Sequence, residues 1–229
     1  WASFTTDARV NVDLPKTATV KLRFNYADKP TDVTFTSVNT NDYGLTLGSI
    51  YVPEKAGSRL TLDHVAMSRD TTFEWKANTT LVLTNGANYR QWGITLKDGF
   101  TLVIDDSTLT TAGAVTFASG EGEAQVLFKG AAPKWVSTSS FNNAGTSVAF
   151  DFTVPVDGYG AVPVVANGGF NTSGKGPVQV RISDESPAAR VDETLESVPL
   201  VQGSIGKANV TTVGLADTSL TSDFIWGDE

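Results

Sequence analysis

Between residues 81 and 117 the chain reads Leu81-Val82-Leu83-Thr84-Asn85-Gly86, then Ile94-Thr95-Leu96-Lys97-Asp98-Gly99. Leu102-Val103-Ile104-Asp105-Asp106 and Val115-Thr116-Phe117 follow. Each segment is a short apolar–x–apolar triplet, most of them trailed by residues that tolerate a sharp turn. In a strand, successive side chains point to opposite faces, so such a triplet buries its outer two residues and shows its centre. Threonine at the centre keeps the β-branched backbone preference while offering a hydroxyl to water. Asn-Gly and Asp-Gly supply the positive φ that a change of direction needs.

The same triplet recurs outward from this stretch, as Val33-Thr34-Phe35, Leu45-Thr46-Leu47, Leu60-Thr61-Leu62, Val126-Leu127-Phe128 and Val148-Ala149-Phe150. One series starts near residues 33, 60, 80, 101, 125 and 148; a second, near 45, 71, 94 and 115, falls between its members. Interleaved strands at a near-constant period predict a coil repeated along an axis, each strand pairing with its equivalent in the next coil. The fold expected is all-β, a right-handed parallel β-helix. The alternative is an antiparallel β-sandwich, because Asn-Gly and Asp-Gly also close hairpins and segment 83–104 fits one locally. Helical periodicity is nearly absent, and 185–197, bracketed by Pro187 and Pro199, is the only helix-tolerant stretch.

Three regions follow. Residues 1–30 hold alternating stretches, Arg9-Val10-Asn11-Val12-Asp13-Leu14 and Val20-Lys21-Leu22-Arg23-Phe24, read as strands capping the solenoid end. Residues 31–152 hold the coils. Residues 153–229 are loop-rich and Gly/Pro-rich but carry further strands at 178–182 and 198–201, so one continuous domain is expected.

Composition narrows the chemistry. The 229 residues include no cysteine and one histidine, with 17 Lys+Arg against 25 Asp+Glu. That excludes a disulfide framework, a thiol nucleophile and a multi-histidine metal site within the chain. A net charge of -8 without a basic run repels phosphate backbones, so nucleic acid is not an expected partner. No stretch approaches the roughly 18 apolar residues of a membrane helix. Neither a nucleotide motif nor a metal motif is present, so no cofactor and no metal are expected. The N-terminus carries neither an initiator Met nor the basic and apolar regions of a signal peptide, which suggests a mature or excised piece. Threonine and serine make up about a fifth of the chain, a composition common in bacterial surface proteins.

The periodic threonine-rich coils resemble the parallel β-helix passengers of bacterial autotransporters and the autotransporter-associated β-strand repeats of large surface proteins. Leu195-Glu196-Ser197-Val198-Pro199-Leu200-Val201-Gln202-Gly203-Ser204-Ile205-Gly206 is similar to the strand and small-residue turn that close such segments. Asp223-Phe224-Ile225-Trp226-Gly227-Asp228 resembles the Trp-Gly opening of a following repeat. The resemblance implies an exported, extracellular or cell-surface segment of a larger chain, with an adhesive role and no catalytic residues.

A carbohydrate-active enzyme on the same fold is the alternative function. Glycoside cleavage wants two carboxyl groups roughly 5 to 10 Å apart, and the acidic candidates are Asp105, Asp106, Glu121 and Glu123. Neighbouring Asp105 and Asp106 point to opposite faces of a strand, and Glu121 and Glu123 sit among turn glycines, so solvated loops are the plainer reading. His64, with no nucleophile elbow near it, reads as structural. The aromatics point elsewhere. Trp75, Tyr89, Trp92 and Trp135 recur near the coil spacing, with Arg90 and Gln91 between two of them. Rings facing outward on adjacent coils would form a ladder for an extended glycan, with Arg90 fixing its hydroxyls; filling the core is the competing role. Trp75, Tyr89, Arg90 and Trp92 are therefore the candidate ligand-binding residues.

Overall fold

The computed structural model describes residues 30–36, 44–46, 55–117, 122–143, 147–171, 178–184, 198–204 and 210–213. Among them there is no helix, and every strand pairing is parallel. The protein is a β-solenoid with three faces. The first face stacks Asp32–Thr36, Arg59–Asp63, Thr80–Thr84, Thr101–Asp105, Ala124–Lys129, Val148–Val154, Val178–Asp184 and Val210–Val213. The second stacks Gly44–Thr46, Ala66–Arg69, Asn88–Gln91, Thr108–Thr111, Lys134–Ser137, Val164–Ala166 and Val201–Gln202. The third stacks Phe73–Trp75, Ile94–Leu96, Val115–Phe117, Phe141–Asn143 and Phe170–Asn171.

The triplets beginning near 33, 60, 80, 101, 125 and 148 are all strands of the first face. The second series divides: residue 45 belongs to the second face, whereas the segments near 71, 94 and 115 form the third. An antiparallel sandwich does not occur among the described strands. Asn85-Gly86 and Asp98-Gly99, which would close a hairpin in that reading, instead turn the chain between faces of one coil. Residue 152 is no boundary for the first face, because Val148–Val154 runs across it and pairs with Val178–Asp184. The capping strands expected within 1–30, segment 185–197 and the closing Trp226-Gly227 lie outside the described residues.

Register explains why a sequence of this kind makes a core. Leu60, Leu81, Leu102, Val126, Phe150 and Val180 lie in line on successive first-face strands, and Leu62, Leu83, Ile104, Phe128, Phe152 and Ile182 form the next row. Nearly all of these point inward and are buried. The strands are short because each face is only as wide as its apolar triplet. Aromatic rings stack along the axis by the same logic: Phe128 on Phe152 at 4.7 Å between ring centroids, and Phe141 on Phe170 at 4.7 Å. Offset ring pairs of this sort add to plain burial.

The corners carry the second regularity. The residue just after each first-face strand takes a left-handed backbone in four successive coils: His64 at φ 57, Asn85 at 54, Asp106 at 44 and Gly130 at 75. Asn, Asp and His are the non-glycine residues most tolerant of that region, and each short side chain can bond locally. A carbonyl can only accept, so His64 Nδ1–H donates to the Asn85 carbonyl at 2.9 Å. Asn85 Nδ2 in turn donates to Asp63 Oδ1 at 2.8 Å. The corner from the third face to the first repeats the device with Gly57, Asn78 and Gly99.

Gly130 is constrained twice. Its φ is positive, and a Cβ there would come within 2.5 Å of the Asp106 carboxylate in the preceding coil. Gly130→Ala is expected to cost about 1 to 3 kcal/mol. Gly160→Ala is the control: its nearest neighbour would be the Ala131 carbonyl oxygen at 3.9 Å, and a change within about 0.5 kcal/mol is expected. Urea unfolding of both variants checks the contrast.

Candidate functional site

The second face is built on a tetrapeptide rather than a triplet. Ala66-Met67-Ser68-Arg69, Asn88-Tyr89-Arg90-Gln91, Thr108-Leu109-Thr110-Thr111 and Lys134-Trp135-Val136-Ser137 stack in register. The second residue of each points inward, so Met67, Tyr89, Leu109 and Trp135 form one buried row. From the second coil onward the fourth residue also points inward, yet it is polar: Gln91, Thr111 and Ser137 are fully buried. Burying a polar group without a partner is costly, and here each one finds partners.

The Tyr89 hydroxyl donates to Gln91 Oε1 at 2.6 Å, and Gln91 Nε2 donates to the Gly93 carbonyl at 2.5 Å. Trp135 Nε1–H donates to Thr111 Oγ1 at 3.2 Å, and Ser137 Oγ donates to the Ser139 carbonyl at 2.9 Å. The buried polar row thus serves the Tyr and Trp handles and the carbonyls of the corner that follows. Burial pushes the Tyr89 phenol well above its ordinary range, only slightly opposed by Arg69.

These positions decide the aromatic ladder. Trp75 is 1 % exposed, Tyr89 2 % and Trp135 0 %, so three of the four recurring rings face the core. They do not form a ladder there either: Trp75 belongs to the third face, and Leu109 lies between Tyr89 and Trp135 on the second. Only Trp92 lies outside, 54 % exposed at the corner between the second and third faces. Parity is the reason: Tyr89 and Gln91 share the inward side of their strand, and Arg90 takes the outward one. Trp92 follows at the bend. Its indole is seated on the next coil, where a Cβ on Gly113 would meet Cδ1 at 3.0 Å and Nε1 at 2.9 Å. Only glycine leaves that room. In the preceding coil the Arg69 guanidinium sits 4.2 Å from the Phe73 ring centroid, and the Trp92 backbone N–H donates to the Arg69 carbonyl at 2.9 Å. Of the candidate binding residues, the structure therefore leaves Arg90 and Trp92 at the surface and withdraws Trp75 and Tyr89.

The acidic candidates have structural partners. Asp106 occupies the left-handed corner, and its Oδ1 accepts the Ala132 N–H at 2.8 Å, tying one coil to the next. Asp105 stands on the outward side of the first face, opposite Lys129, with the Thr84 hydroxyl 3.5 Å from Oδ2. Glu123 is held by Arg181, whose Nη2 lies 2.8 Å from both carboxylate oxygens. Glu121 lies outside the described residues. Among the described residues no cluster of three His, Asp or Glu side chains could hold a metal ion.

Sequence reasoning passed over Lys134. Its side chain precedes Trp135 on the second face and points outward, two coils from Arg90. Its face could have been found from the tetrapeptide recurrence, in which one large apolar residue follows a polar one at the coil period.

With geometry in hand, the class is a threonine-rich parallel β-solenoid with three narrow faces. No protein-family model matches the chain, and neither do any curated proteins or solved structures.

The Arg181 cluster yields a pH prediction. Asp151 Oδ1 lies 3.7 Å from Arg181 Nη1, and burial raises its pKa above the ordinary aspartate value, against the lowering effect of Arg181 and with a small further rise from Glu123. A carboxyl whose folded pKa is raised contributes stability below the unfolded value and loses it as pH climbs through the folded one. Charged Asp151 is therefore a net cost at neutral pH. Asp151→Asn is expected to raise the urea midpoint at pH 7, with the gain shrinking toward about pH 4. A loss at pH 7 would show that pairing with Arg181 outweighs burial.

Proposed function

We propose that this chain is a non-catalytic segment of a larger bacterial surface or secreted protein, working outside the cell as a spacer that makes adhesive contact with glycans. The observation that carries the contact is Trp92, the one large apolar side chain held open to solvent among the described residues. Aromatic faces pack against the apolar faces of sugars, while neighbouring donors meet the hydroxyls. Arg90, exposed two residues away, is such a donor group.

A spacer role suits a stack of coils that grows by repetition and buries its core through nearest neighbours. The partners found for Asp106 and Glu123 favour the binding reading over a hydrolytic one. The test is retention of the protein on a panel of immobilised neutral and acidic polysaccharides. Trp92→Ala should abolish retention while leaving Tm within a few degrees, because the ring is not part of the core. Sustained release of reducing ends from any soluble polysaccharide would overturn the non-catalytic reading.

A further inference from the structure

Charge is not spread evenly over the three faces. On the strands of the first face the carboxylates Asp32, Asp63, Asp105 and Asp151 are mixed with the cations Arg59, Lys129 and Arg181, and on the third face Glu74 is bridged by Lys76 and Lys97. On the second face, the outward residues with described side chains are Ala66, Ser68, Asn88, Arg90, Thr108, Thr110, Lys134, Val136, Val165 and Gln202. None is acidic and two are cations, in a chain whose net charge is -8. Asp70, exposed at the corner one position past Arg69, is the equivalent of Trp92 in the preceding coil and is the carboxylate at that corner.

From this segregation we infer that the second face and its Trp92 corner bind an extended glycan bearing carboxylates, a uronic-acid polymer, rather than a neutral one. The inference rests on the glycan reading above and adds the charge of the ligand. Ser68, Arg90 and Thr110 lie in line across three coils, so Arg90 has a hydroxyl residue on each neighbouring strand, with backbones about 5 Å apart. Trp92 takes a sugar face at one edge of this row. Lys134 stands two strands further along the axis, roughly 10 Å away in that direction. A chain with regularly spaced carboxylates meets both cations and the ring in one extended pose. Arg suits the carboxylate as a planar fork, and Lys as a point charge. The carboxylates of the first and third faces argue against nucleic acid and against anionic membranes, whose dense charge would meet those faces as well.

The experiment compares polygalacturonate with the same polymer fully methyl-esterified, which keeps the backbone and removes the charge. The probes are titrated into the full chain by calorimetry at low and physiological salt. Polygalacturonate is expected to bind at least about tenfold more tightly than the ester, and less tightly as salt rises. The double variant Arg90→Ala/Lys134→Ala should lose about tenfold in affinity for polygalacturonate with its Tm unchanged, because both side chains point to solvent. Equal binding of acid and ester, or an unaffected double variant, would overturn the inference and leave the glycan reading standing. Binding of neither polymer would count against this inference. If the polysaccharide panel is also blank, the glycan reading falls with it. Equal affinity for duplex DNA or for phosphatidylserine vesicles would reduce the face to an unselective polyanion surface and overturn the inference as well.

Discussion

Everything in this fold depends on in-register parallel pairing. Each residue on a face lies about 5 Å from its equivalent one coil away, and the backbone hydrogen bonds run along the axis. Like therefore meets like, and the sequence must make that juxtaposition favourable at every position. Apolar rows and ring stacks satisfy it inside. Outside, identical charges would repel across such a gap, and the outward row Thr36, Asp63, Thr84, Asp105, Lys129 shows how that is managed. Hydroxyls separate the carboxylates and donate to them, Thr36 to Asp63 at 3.2 Å and Thr84 to Asp105 at 3.5 Å, and a cation closes the run. High threonine content is thus a consequence of stacking: the residue combines strand preference with a hydroxyl that tolerates any neighbour.

The first face was legible in the sequence because its inward residues are all large and apolar, so alternation and period reinforce one another. Leu81-Val82-Leu83 and Leu102-Val103-Ile104 could hardly be anything else. The second face was not, and Gln91 shows why. A glutamine breaks the alternation and reads as surface, yet it is fully buried, its amide oxygen accepting from Tyr89 and its nitrogen donating to Gly93. That pairing depends on the corner that follows, which no local pattern announces. The aromatics failed differently. Their recurrence at the coil period was visible, but recurrence says nothing about which side of the strand a ring takes. One position of parity separates Tyr89 in the core from Arg90 at the surface.

The acidic residues illustrate the same limit. Asp105-Asp106 reads as a carboxyl pair until the backbone is seen: Asp106 is there for its φ of 44, in line with His64, Asn85 and Gly130. These four residues share no chemistry, only tolerance of a left-handed backbone. The lone histidine, a natural suspect for catalysis, belongs to that row. That the described outward side chains of the second face include two cations and no carboxylate was equally hidden, since Arg90 and Lys134 are 44 positions apart in sequence and come two strands apart on one face only through the coil.

The contact between Arg181 and Glu123 has a mechanical meaning. Most interactions in a solenoid join adjacent coils, which makes the stack behave as a one-dimensional chain that can unzip from an end one unit at a time. Arg181, paired in register with Asp151, reaches past that coil to a carboxylate on the one before it. It is a second-neighbour spring in a first-neighbour chain. Once Val210–Val213 has come away, peeling the strand Val178–Asp184 has to break two generations of contact at once, so resistance to pulling rises where the tie is anchored.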